Sequence, residues 1–77
     1  MNAPRRKSIQ EVINQLEELK STIETLRDEE QEAFNNLPEG FQCSERGEAM
    51  EAAAENLDNA YNSIDEALES LVESLGE

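Results

Sequence analysis

From Ile9 onward, apolar side chains return at alternating intervals of three and four residues: Ile9, Val12, Leu16, Leu19, Ile23, Leu26, then Glu30, Ala33 and Leu37. A seam of this period predicts an amphipathic helix that packs along another helix. Ile13 and Phe34 widen the stripe at a neighbouring position. Ser8-Ile9-Gln10-Glu11 reads as a capping box, and no Pro or Gly interrupts the chain between Pro4 and Pro38. A first helix is therefore predicted over about residues 8–36, preceded by a basic, disordered head at residues 1–7. Pro38 disfavours helical geometry at Leu37, so residues 37–43 are predicted to form a turn.

Ser44 opens a second predicted helix, about residues 44–75, with Glu45 and Glu48 in the first turn, where the helix dipole favours acids. Met50, Leu57, Ile64 and Leu71 recur every seven residues, and Ala54, Tyr61, Leu68 and Leu75 follow each of them by four. A third row, Ala53, Ala60 and Ala67, flanks the first. Gly47 weakens the first turn by helix propensity, and Gly76 reads as a stop. Two helices of near-equal length joined by a short turn predict an all-α fold, a single antiparallel helical hairpin over residues 8–77. The apolar stripe is broader than two helices can cover, and an isolated hairpin of this size is marginal. Homodimerisation into a four-helix bundle is therefore expected, with Leu57, Ile64, Ala53, Ala60 and Ala67 at the oligomer interface.

Charge narrows the possible partners. The 77 residues carry 19 acids and 6 bases, a formal net charge of −13, and three of the bases, Arg5, Arg6 and Lys7, stand at the N-terminus. Such a surface repels nucleic acid and anionic lipid, so neither direct nucleic-acid binding nor membrane association is expected. A basic protein is the partner it would attract, and Glu51, Glu55, Asp58, Glu66 and Glu69 form the candidate acidic binding surface. With no histidine and one cysteine, Cys43, an ordinary zinc site and an internal disulfide are excluded. The lone thiol fits a reducing cytosol, the expected location.

No catalytic, cofactor or metal residues are assigned, and the chain is not expected to be an enzyme. Glu29-x-x-Glu32 and Glu55-x-x-Asp58 match loosely the carboxylate pairs by which helical nucleotide pyrophosphohydrolases hold magnesium. The two pairs fall at different heights of the hairpin, and among 19 acids such a match arises by chance. Glu30 is the more telling acid, because a seam carboxylate needs a partner. Arg46, across the turn, is the expected one, giving an ion pair at the hairpin tip that fixes register.

The segments Asp28-Glu-Glu-Gln-Glu-Ala-Phe34, Asn36-Leu-Pro-Glu-Gly40 and Ser44-Glu-Arg-Gly-Glu-Ala-Met50 together resemble a signature of short acidic proteins encoded by phages and prophages. The resemblance covers the central residues and implies a viral origin and a site of action in the host cytoplasm. With the acidity it implies a module that engages or inhibits a host protein, such as a defence or nucleic-acid-binding protein. A structural or assembly role in a phage particle or complex is the alternative. In size and in its Ser-initiated, Ala-rich second helix, the chain is also similar to small helical phage sponge proteins that bind cyclic nucleotides between subunits. Those proteins imply basic residues for the phosphates, which this chain nearly lacks.

Overall fold

The computed structural model describes residues 2–76; Met1 and Glu77, which belong to the expected head and hairpin, lie outside the described residues. Three helices follow one another: α1 Ala3–Asn35, α2 Glu39–Gln42 and α3 Glu45–Ser74. The two long helices pack along each other as the hairpin the periodicity predicts.

α1 begins ahead of the predicted start. Asn2 is its cap, its Oδ1 accepting from the Arg5 N–H at 2.8 Å, and Pro4 sits in the first turn, where its missing donor costs nothing. The Ser8 hydroxyl donates to the Pro4 carbonyl at 3.2 Å, so the capping box does not form. Arg5, Arg6 and Lys7 therefore ride on the first turns of α1, and the Arg6 guanidinium donates to the Leu75 carbonyl at the far end of α3. The expected disordered head is helical from Ala3.

The other boundaries follow the sequence more closely. Asn36 caps the end of α1, its N–H donating to the Glu32 carbonyl at 2.9 Å. Ser44 caps α3, its Oγ accepting from the Gly47 N–H at 3.3 Å. Gly76 stops the chain at a φ of 80°, the left-handed geometry that glycine adopts without strain. Within the expected turn, the short helix α2 folds back on α3. Gly47 is buried there: a Cβ would lie 2.6 Å from the Phe41 carbonyl oxygen and closer still to that of Gln42. The residue that looked like a weak point is the one that lets α2 close the tip. The Gln42 amide donates to the Phe34 and Leu37 carbonyls at 3.4 and 3.3 Å, tying α2 to the end of α1.

The hairpin is a rod of 59 × 15 × 15 Å with a radius of gyration of 17.4 Å, where a compact chain of this length would have about 11–12 Å. A rod two helices thick has little interior. Among the described residues the buried apolar side chains are Ile13, Ala54 and Leu68. The seam predicted on α1 is thereby corrected. Ile9, Leu16, Ile23, Glu30 and Leu37 are half-buried, but Val12, Leu19 and Leu26 are exposed at 44%, 55% and 47%. Ile13, Lys20, Arg27 and Phe34 complete the inward face instead. Two seven-residue rows compete for the position beside Ile9/Leu16/Ile23, and only one can face a single partner helix. The row that can pair across to α3 through charge goes in, and the purely apolar row is left outside. The tip also departs from expectation, since Phe41 is 60% exposed while Phe34, Leu37 and Met50 are half-buried.

Candidate functional site

Two faces of the rod differ in chemistry, and the first is a polar ladder. Lys20 Nζ donates to Asp65 at 2.6 Å, and Arg27 Nη1 donates to Asp58 at 2.7 Å. Between them stands Tyr61, its ring centroid 4.8 Å from Lys20 Nζ and 5.3 Å from Arg27 Cζ. Both cations thus lie against one aromatic ring while paired with carboxylates, a use of the long aliphatic stems as packing and the heads as crosslinks. The hydrogen bond to Asp65 holds the Lys20 ammonium above its ordinary value of 10.5, against a smaller desolvation effect. Asp58 does the same for Arg27. These bridges are partly exposed, so they orient the helices more than they stabilise them. Tyr61→Leu should lower the melting temperature modestly, and combined with Arg27→Gln the loss should fall short of the sum of the two single losses. Thermal denaturation of the four proteins of this cycle checks it.

These pairs also fix the register, and the register decides the fate of the expected Glu30–Arg46 pair. With Arg27 level with Asp58, Glu30 lies level with Glu55. Arg46 then stands roughly 13 Å nearer the tip at 1.5 Å per residue. No Glu30–Arg46 ion pair forms; among the described residues the ion pairs are Lys20–Asp65, Arg27–Asp28 and Arg27–Asp58. Arg46 is exposed, and Glu30 is half-buried without a hydrogen bond or ion pair.

The expected acidic surface is divided in two. Glu51, Glu55 and Asp58 line one shallow groove together with Arg27, Asp28 and Gln31, and Asp58 is engaged by Arg27 within it. Glu69 lines the next groove along, with Glu17, Lys20, Asp65 and Val72. Glu66 is exposed. The register set by Arg27 and Asp58 brings Glu29 level with Glu55, not to a different height as expected; even so, among the described residues no three His, Cys, Asp or Glu side chains are grouped to hold a metal ion, and Glu29, Glu32 and Glu55 are exposed. Cys43 is exposed as well.

The second face is apolar. Beside the exposed row Val12, Leu19 and Leu26 on α1 run the half-buried Leu57, Ile64 and Leu71 of α3, and beyond them Ala53 and Ala60, half-buried, with Ala67 exposed. The expected interface residues of α3 thus lie on one side of the rod. The α1 half of that side was hidden in the sequence because Val12, Leu19 and Leu26 looked like core. The signal that separates them is Lys20 and Arg27, seven apart in the row with Ile13 and Phe34, with Tyr61 on the other helix to receive them.

The rows flanking the apolar face are almost free of charge. At 100° per residue they are Ser8, Gln15 and Thr22 on α1, with Glu29 the exception near the tip, and Ala49, Asn56, Ser63 and Ser70 on α3, all exposed. No helix among the described residues is long and apolar enough to cross a membrane. Comparison with known protein families, curated proteins and solved structures finds no match.

Proposed function

We propose that this protein is a non-enzymatic, self-associating protein-binding module of the cytoplasm. Two hairpins close their apolar faces into a four-helix bundle and present their acidic faces to a basic protein partner. The observation that carries the reading is the segregation of charge: the apolar face has almost uncharged flanks, and Glu51, Glu55, Asp58, Asp65, Glu69 and Glu73 of α3 line the grooves of the polar side. An acidity that served solubility alone would have no reason to avoid one face. The phage-like segments around the tip support a host protein as the partner, and engagement or inhibition of that protein as the outcome.

Affinity capture from host lysate, at low and at raised salt, tests the reading. The wild type should retain a basic protein that raised salt releases, and Glu55→Lys with Glu66→Lys should abolish retention without altering helicity. Retention unchanged by the charge reversal would remove the acidic face from the account. A structural role in a larger assembly is the second reading. It is favoured by Phe41, which is exposed at the tip and gives a bundle a further point of contact. A nucleotide sponge draws less support, because Lys20 and Arg27 are already engaged by carboxylates.

A further inference from the structure

The proposed self-association has a direction, and the distribution of residues on the rod supplies it. We infer that the apolar face is covered by a second copy of this chain lying head to tail, with a two-fold axis crossing the rod at the level of Leu19 and Ile64. The inference rests on the self-association just proposed and adds to it the arrangement of the copies.

Three observations converge on this occupant. The first is area. The accessible surface is 5613 Å², where a compact chain of 8.7 kDa exposes about 4,700 Å². The excess, about 900 Å², is close to the roughly 800 Å² that each partner buries in a stable interface.

The second is symmetry of pattern. On α1 the seven-residue row reads Arg5, Val12, Leu19, Leu26, all exposed, then the half-buried Ala33, and is centred on Leu19. On α3 the apolar row reads Leu57, Ile64, Leu71, centred on Ile64. Lys20 contacts both Tyr61 and Asp65, which places the two centres at one height. A transverse two-fold axis at that height sets Leu19 against its own copy and Val12 against Leu26. It also sets Leu57 against Leu71, and the long Arg5 against the small Ala33. The apolar surface is thus matched to itself, as an isologous interface requires.

The third is charge. Residues 20–63, on the tip side of that axis, hold eleven acids against three bases, while the open side holds eight against three. Copies with their tips together would stack the most acidic ends on each other. Head to tail, the Arg5-Arg6-Lys7 end of one copy lies beside the acidic tip of the other. The partner's Arg5, level with Ala33, comes within about one turn of Glu30, the half-buried carboxylate that has no ion pair or hydrogen bond in its own chain. Self-association across this face also explains its almost uncharged flanks, since a second chain of −13 can approach there without bringing carboxylates together.

Disulfide trapping in a Cys43→Ser background tests the arrangement. Leu19→Cys should form a covalent homodimer under mild oxidation, because an axis through residue 19 brings the two sulfurs within bonding range. A mixture of Val12→Cys and Leu26→Cys chains should give the mixed dimer in preference to either homodimer. If Leu19→Cys chains instead link to Ile64→Cys chains and not to themselves, the copies lie tips together. The head-to-tail inference then falls while self-association stands. A helical wild type that scatters light as a single chain at tens of micromolar overturns both.

Discussion

Gly47→Ala should destabilise the protein by about 3 kcal/mol, the upper end of the overpacking range, whereas Gly40→Ala should be neutral or stabilising by up to about 1 kcal/mol. The opposite signs are the point. Both glycines are helical, and helix propensity alone gives alanine an advantage of about 1 kcal/mol at each. The surroundings differ. A Cβ at Gly40 meets nothing within 4 Å, while one at Gly47 meets the backbone of Phe41 and Gln42, which cannot rotate away like the end of a flexible side chain. α2 must then lift off α3, carrying with it the Gln42 hydrogen bonds to Phe34 and Leu37. Urea denaturation of the two variants beside the wild type decides it. A Gly47→Ala protein as stable as the wild type would mean that α2 does not pack on α3.

Leu19→Glu should dissociate the proposed dimer, weakening it at least a hundredfold, and lower the melting temperature. The carboxylate would meet its own copy across the axis, so one substitution places two like charges in an apolar contact. Burial of an unpaired charge costs about 3 kcal/mol or more, and every 1.4 kcal/mol is tenfold in affinity. Val72→Glu is the control. Val72 is 46% exposed, much like Leu26, but it lines the groove with Lys20, Asp65 and Glu69 on the polar side of the rod. Its substitution should leave the mass in solution unchanged. Equal effects of the two substitutions would show that loss of exposed apolar area, and not the particular face, sets the outcome.

The hairpin was legible in the sequence because its signals are local and redundant. A 3,4 periodicity, Pro38 after Leu37, the Ser44 cap and the terminal Gly76 each act within a turn of the residue that shows them. The side of α1 that faces α3 was not legible to the same degree. Ile9/Leu16/Ile23 belong to two possible seams, and an apolar count favours the one through Val12, Leu19 and Leu26. The fold takes the other, through Ile13, Lys20, Arg27 and Phe34, because Asp58, Tyr61 and Asp65 on α3 provide for the cations. Composition treats lysine and arginine as surface residues, and only the cross-helix partner shows that these two are half-buried. The Glu30–Arg46 pair failed for a related reason: α2 occupies part of the expected turn, and register is set by the ladder rather than by the tip. Gly47 shows the limit of propensity, since close approach of a backbone leaves no trace in local sequence.

The surface candidates are distributed unevenly over the rod. Leu57, Ile64 and the alanine row lie together on one side of α3, while Glu51, Glu55, Asp58, Glu66 and Glu69 divide between two grooves and an exposed position. What periodicity could not supply was the matching apolar row on α1, which turns a stripe on one helix into a face of the whole rod.

Light scattering with size-exclusion chromatography, across protein concentrations from low micromolar upward, tests the central claim that this face is covered by a second copy. A mass of about twice 8.7 kDa is predicted, with a melting temperature that rises with concentration, as coupled folding and association require. A fully helical protein of single-chain mass, melting at one temperature whatever its concentration, would contradict it.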